Sequence, residues 1–185
     1  MNEANITSDK ELLNAVRAGD LDAFKTLVKK YEKRIAATIY GMLGDCPEVD
    51  DVGQETFIRF YQRIDAFKGE SSLITYLTRI AINLSLNELK RRKRQHPRTL
   101  PLEAARRVAG QNKEYEQDQN QLVHNALQQL DAKYRSVVVL RLLEEYSTKE
   151  TADILKLPQG TVLSRLSRGL EKLKELLAPQ FEEIL

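Results

Sequence analysis

Cysteine, histidine and tryptophan are nearly missing from this chain. Among 185 residues there is one cysteine, Cys46, there are two histidines, His96 and His124, and there is no tryptophan. A single cysteine excludes an internal disulfide and a Cys-rich zinc site. Two histidines exclude a multi-His metal centre, and a His-based triad would have to use one of them. Eight glycines and five prolines are few; long helices are allowed, and a turn-rich β-sandwich is disfavoured. GxGxxG, GxxxxGK[ST] and HExxH are all absent, which removes the common nucleotide-binding and zinc-hydrolase signatures. The longest nearly apolar stretch, residues 35–43, is far short of a membrane span. Residues 1–5 lack the basic start and apolar run of a signal peptide. With 42% hydrophobic and 30% charged residues, the chain can bury modest cores and is not a fully disordered polymer. A soluble, cytoplasmic, mostly helical protein with no cofactor and no small-molecule substrate is expected.

The apolar residues recur at helical intervals. Ser8 and Glu11 have the spacing of a capping box, which opens a first helix through Leu12, Leu13 and Val16. Asp20 or Asp22 caps a second, carrying Phe24, Leu27, Val28, Tyr31, Ile35 and Ile39. A third starts in the acidic cluster Asp45, Glu48, Asp50, Asp51 and Glu55, where carboxylates suit the positive end of a helix dipole. After a short loop, residues 67–72, a fourth runs from about Leu73 into the basic run 90–94. Between Gln95 and Gln121 the pattern fails at Pro97 and Pro101, and the polar Gln/Asn-rich composition reads as a linker, with room for a short helix near residues 102–108. From Leu122 helical patterning returns. Asp131 precedes a Val/Leu-rich helix, and Ser147 with Glu150 forms a second capping box. A tight turn at residues 157–160 leads to a last helix with Val162, Leu166, Leu170, Leu173 and Leu177. The organisation expected is all-α: one helical domain over 1–95, a linker over 96–121 and a second helical domain over 122–185.

Three constellations bear on chemistry. A short capped helix, a turn and a longer helix describe a helix-turn-helix, whose second helix lies in the DNA major groove. On that helix Ser164, Arg165, Ser167 and Arg168 are groups suited to phosphates and base edges; an ordinary helical hairpin with solvated polar residues fits the pattern about as well. Residues 88–98 hold six cations against Glu88, a net of +5 in a chain whose total is +2. Upstream of them Arg79, Asn83, Asn87 and Lys90 share one helical face, a surface that can follow a nucleic-acid backbone. The acidic start at Asp50 and Asp51 is most simply a dipole-matched helix terminus; a protein contact is the other use. A metal enzyme is disfavoured because no second acidic helix of matching spacing exists.

In this order the pieces resemble the extracytoplasmic-function group of sigma-70-type bacterial sigma factors. The resemblance spans roughly residues 19–177. It rests on Gly19-Asp20-Leu21-Asp22-Ala23-Phe24, on Asp50-Asp51-Val52-Gly53-Gln54-Glu55-Thr56-Phe57, and on Phe67-Lys68-Gly69-Glu70-Ser71 with Tyr76 to Asn83. It closes on Leu157-Pro158-Gln159-Gly160-Thr161-Val162-Leu163-Ser164-Arg165. It implies two helical domains, similar to sigma regions two and four, with no catalysis of their own. By motif, Asp51, Gln54 and Glu55 fall where the family docks on the β′ clamp helices of core RNA polymerase, and region four is expected on the β flap. Phe67, Lys68, Gly69, Glu70 and Ser71 fall on the loop that captures a base flipped out of the minus-ten element. Arg79, Asn83, Asn87, Lys90 and Arg91 fall on the helix that holds the melted strand. Ser164, Arg165, Ser167 and Arg168 fall on the minus-thirty-five recognition helix. Glu114, Glu116 and Asp118 fall in the segment that threads toward the RNA exit channel, as a crude nucleic-acid mimic. An anti-sigma factor is a further expected partner.

The chain departs from the family pattern at Tyr76, where Trp is usual, at Leu163, where Lys or Arg is usual, and at Leu170, where some members have Arg. Two placements are open for the leucines: packed against the preceding helix, or exposed at the DNA edge. Paired exposed leucines are a liability without a partner, so packing is the expectation. The competing functions are a helix-turn-helix regulator acting on duplex DNA without polymerase, which leaves the Gln54–Glu55 helix and the Gly69 loop idle, and a helical enzyme using Asp50 and Asp51.

Overall fold

Helices begin where short polar side chains can hold the first amides. The computed structural model describes residues 8–95 and 115–182, with the side chains of 115–120 and 180–182 left aside. Helix α1 (Asp9–Arg17) opens on the Ser8–Glu11 capping box: Ser8 Oγ accepts the Glu11 amide at 3.3 Å, and Glu11 accepts the Ser8 amide at 2.9 Å. Helix α2 (Leu21–Leu43) is capped by Asp20, which accepts from the amides of Asp22 and Ala23. It ends at Gly44, whose φ of 74° needs a residue without a Cβ penalty. Helix α3 (Glu48–Gln62) has no side-chain cap and relies on Glu48, Asp50 and Asp51 in its first turn to meet the dipole. A 3-10 turn (Ile64–Ala66) and the loop to Ser72 lead into α4 (Leu73–Gln95).

In the C-terminal half, α5 (Tyr115–Gln129) begins inside the stretch expected to be linker. Helix α6 (Ala132–Val138) continues as a π-helical turn (Val139–Leu143), marked by the i→i+5 bond from the Glu144 amide to the Val139 carbonyl. Asp131 precedes α6 without making a side-chain cap. Helix α7 (Thr148–Leu155) opens on the Ser147–Glu150 capping box, and α8 (Gln159–Glu182) follows the turn after Lys156. The short helix expected near residues 102–108 and the residues His96, Pro97 and Pro101 lie outside the described residues, as does Glu114, while Glu116 and Asp118 fall among the side chains left aside.

The N-terminal core is built from Leu27, Ile35, Ile39, Met42, Phe60, Leu77, Ala81 and Ile82, all without solvent exposure. The same cluster takes in Val139, Leu140, Tyr146 and Ile154 from the C-terminal half. Burying an aliphatic side chain of this size contributes roughly 1.5–3 kcal/mol as an upper estimate, so the two halves are held together by more than the chain that joins them. Two smaller clusters close the C-terminal half itself: Ala126, Leu127, Leu130, Val138 and Leu173, and Val137, Ala152 and Val162.

Polar groups finish the seam between the halves. The buried Arg135 donates to the carbonyl of Met42 at 2.6 Å, to Gln128 Oε1 at 2.7 Å and to the carbonyl of Leu130 at 2.9 Å, and also to the carbonyl of Gln128. Burial, with a smaller contribution from the nearby Arg92 cation, lowers its pKa to about 10, so it stays charged at neutral pH. Gln128 in turn donates to the carbonyl of Gly41, and the Tyr146 and Thr78 hydroxyls share a hydrogen bond of 2.9 Å. A Cβ on Gly41 would meet both methyls of Val139 at 3.2 Å, so glycine here allows α2 and the π turn their close approach.

Candidate polymerase and promoter interfaces

The acidic face lies on α3. Asp51 and Gln54 are exposed and Glu55 is half-buried, with Glu55 accepting from Arg59 one turn on at 2.6 Å. Beside this face a groove of about 570 Å³ between α2 and α3 is lined by Glu32, Lys33, Asp50 and Gln54 and by the apolar Val28, Phe57 and Ile58. A mostly acidic rim, Glu32 and Asp50 against Lys33, beside apolar side chains suits a protein partner with basic groups.

The loop after α3 is anchored at one end and open at the other. Phe67 is buried, with its ring 5.0 Å from that of Tyr76. Arg17 at the end of α1 donates to the carbonyl of Phe67 at 2.6 Å and to that of Ile64 at 3.4 Å. From there Lys68, Gly69 and Glu70 stand exposed and Ser71 is half-buried. Gly69 takes φ of 78°, with open space where a Cβ would be. Between this loop and α1 lies a pocket of about 420 Å³ lined in part by Asn14, Arg17 and Lys68. Composition and motif give no hint of Arg17, which reads as an ordinary helix-end cation.

On α4, Asn83, Asn87 and Lys90 are exposed on one edge, and Arg79 is half-buried with its Nε lacking a hydrogen-bond partner. The basic run beyond them is not uniformly available. Arg91 is paired with Glu88 at 2.7 Å and bonded to Gln95. Arg92 bridges Glu88 and Glu48, each at 3.0 Å, and touches Cys46 Sγ at 2.9 Å. Hydrogen bonds from Arg91 and Arg92 hold the Glu88 carboxyl below its ordinary pKa against the effect of burial. Lys90, Lys93 and Arg94 remain exposed. Leu86 and Leu89, which sit poorly with a polar face, are partly buried against the N-terminal core.

On α8, Val162 is fully buried and Leu173 nearly so, while Ser164, Ser167 and Arg168 are exposed and Arg165 is half-buried. The expectation that Leu163 and Leu170 pack against the preceding helix is not met: they are 54% and 42% exposed. The stripe Val162–Leu166–Leu173 already closes the core, and Leu163 lies about 100° round the helix from Val162, beyond the reach of α6 and α7. Three of the four surfaces adjoin, since Phe67 of the loop packs on Tyr76 of α4 and Glu48 of α3 pairs with Arg91 and Arg92 at the basic end of α4; the fourth is the outer side of α8.

The matches with known proteins follow the same division. Residues 27–95 match the family model described as sigma-70 region 2, and residues 120–173 match that of sigma-70, region 4. The RNA polymerase sigma-H factor of Pseudomonas aeruginosa is 34% identical, covering 95% of this chain and 96% of its own. The chain belongs to the sigma-70 family, in its extracytoplasmic-function group. The ECF RNA polymerase sigma factor SigW of Bacillus subtilis is 33% identical, over 91% of this chain and 96% of its own. Among solved structures, CnrH in complex with the cytosolic domain of CnrY has a TM-score of 0.68 at 23% identity, covering 92% of this chain and 97% of that one. RpoE of Bartonella quintana, in complex with the anti-sigma factor NepR, gives 0.67 at 24%, with 84% and 96% covered. At these identities the structural likeness speaks for the fold. As an alternative sigma factor, the chain directs RNA polymerase to promoters. Among the described residues, no helix is long and apolar enough to cross a membrane, and no cluster of three or more His, Cys, Asp or Glu side chains is placed to hold a metal ion.

Proposed function

We propose a division of labour in which this sigma factor brings core RNA polymerase to a restricted promoter set without catalysing any step itself. Asp51, Gln54 and Glu55 dock on the β′ clamp helices, and the C-terminal half engages the β flap. The loop Phe67, Lys68, Gly69, Glu70 and Ser71 receives a base flipped from the minus-ten element. Unstacking a base costs a few kcal/mol, which a snug pocket and backbone contacts must offset. Arg79, Asn83, Asn87 and Lys90, with the far side of Arg91, hold the melted strand. Ser164, Arg165, Ser167 and Arg168 contact the minus-thirty-five element. An anti-sigma factor is a further partner, as the anti-sigma factor NepR is in complex with RpoE of Bartonella quintana.

The observation that carries this proposal is an exposed acidic edge on α3, at Asp50, Asp51 and Gln54, on the same chain as the basic edge of α4 and the polar outer side of α8. A duplex-DNA regulator has no use for an exposed carboxylate face of that kind, since it repels phosphates. The test is transcription in vitro with purified core polymerase and a promoter library. Initiation at defined sites, dependent on the added chain, is expected. Site-specific duplex binding with no chain-dependent initiation would overturn it.

A further inference from the structure

Leu163 is the fifth residue of α8, and its side chain is 54% exposed, while its neighbour Val162 is wholly buried. The fold does not need it. The C-terminal core is closed by Val162, Leu166 and Leu173, and Leu163 belongs to none of the buried clusters. On one side of it Ser164, Ser167 and Arg168 are exposed; on the other lie the half-buried Leu166 and, two turns on, the exposed Leu170. Gly160, one turn earlier, has open space where a Cβ would sit, so the backbone of the first turn can approach a ligand closely.

The side chains that reach base edges in a helix-turn-helix come from the N-terminal turns of its second helix. Leu163 lies there, about 6 Å from the helix start; Leu170 lies about 10 Å further along, past that zone. The major groove offers one apolar feature, the C5-methyl group of thymine. Two half-exposed leucines about 10 Å apart, Leu163 and Leu170, with Ser167 and Arg168 beside them, are too small a patch for a protein partner, which needs a contiguous apolar area of several hundred Å². We propose that Leu163 is a specificity-determining residue that reads one thymine of the upstream promoter element through its methyl group, in place of a phosphate contact. This rests on the function proposed above.

The test uses the full chain with core RNA polymerase and a duplex library randomised across the upstream element. The native holoenzyme is expected to enrich thymine at one position. Leu163→Ala should erase that preference alone, and Leu163→Arg, which restores a phosphate contact, should erase it while tightening binding at low salt. On the selected promoter, replacing that thymine by uracil removes only the methyl. Native affinity should fall about fourfold, the worth of one buried carbon, and the Leu163→Ala holoenzyme should be indifferent. Melting curves of both variants should match the native one. Thymine enrichment that survives Leu163→Ala, an equal uracil penalty in both proteins, or a library without thymine enrichment overturns the proposal while leaving the sigma-factor function standing. Failure of the native holoenzyme to select any upstream sequence overturns the function as proposed, and this inference with it.

Discussion

Helices α4 and α8 are nearly the same length, 23 and 24 residues, and both are proposed to meet DNA, yet they are built in opposite ways. Helix α4 is wedged: Leu77, Ala81 and Ile82 enter the N-terminal core, Thr78 meets Tyr146 from the other half, and the basic end is tied down by Glu88 and Glu48. Helix α8 packs along one stripe and leaves two leucines in solvent. On α4 the cations overstate the charge free to meet phosphates. On α8 the leucines overstate the core. Side-chain type sets what a residue can do, and only its neighbours decide whether that capacity is already used.

The largest effect should come from breaking what locks α4 and its half of the molecule to the rest. Arg135→Ala leaves several buried carbonyls without a donor. It should cost about 3 kcal/mol of folding stability, measured by denaturant unfolding. Arg135→Lys should recover only part, because one ammonium cannot span acceptors on both sides of the seam.

Glu55→Lys probes the surface that belongs to neither DNA helix. Like-charge contact at an interface can cost several kcal/mol, so affinity for core polymerase should fall at least about tenfold. The melting temperature should stay close to native, since the side chain is half-exposed and loses only a pair with Arg59.

The two classes of cation on α4 should separate cleanly. Replacing Lys90, Lys93 and Arg94 with Gln should leave folding intact and make the log–log salt dependence of promoter binding shallower, by roughly 0.7–0.9 for each phosphate no longer neutralised. Arg92→Gln should do the reverse, lowering stability by about 1–2 kcal/mol with little change in slope. Equal slopes for the two variants would erase the distinction between free and tied charge.

The smallest effect is a pH dependence. Arg91 and Arg92 lower the Glu88 pKa in the folded chain. Its contribution is therefore fully present above its ordinary value near 4.5 and is lost as pH falls through the depressed folded value. Glu88→Gln should flatten the acid limb of the stability profile in that window and leave the neutral region slightly lower.

Much of this architecture is legible in the residues alone. Both capping boxes, a cap at Asp20 or Asp22, the acidic start of α3 and the turn before α8 are local, and local chemistry fixes them. The start of α5 at Tyr115 is not legible, because a polar Gln/Asn-rich stretch has no apolar face to signal a helix. The joining of the two halves is equally hidden: Val139, Leu140 and Tyr146 look like core residues of their own domain, and no pattern says that they complete another. Arg17 holding the loop carbonyls, and Arg135 holding Met42, bring together residues 50 and 93 positions apart. The exposure of Leu163 is hidden for a related reason. A helical wheel shows which residues share a stripe but not how wide the partner helix is.

The claim on which the rest depends is that one chain joins a polymerase-docking face to two promoter-reading faces. Run-off transcription with core polymerase, a selected promoter and either the native chain or Glu55→Lys tests it most directly. The native chain should initiate at one site. Glu55→Lys should lose that initiation while its isolated fold melts as before. Undiminished initiation by Glu55→Lys, or specific DNA binding by the native chain with no initiation, would contradict it.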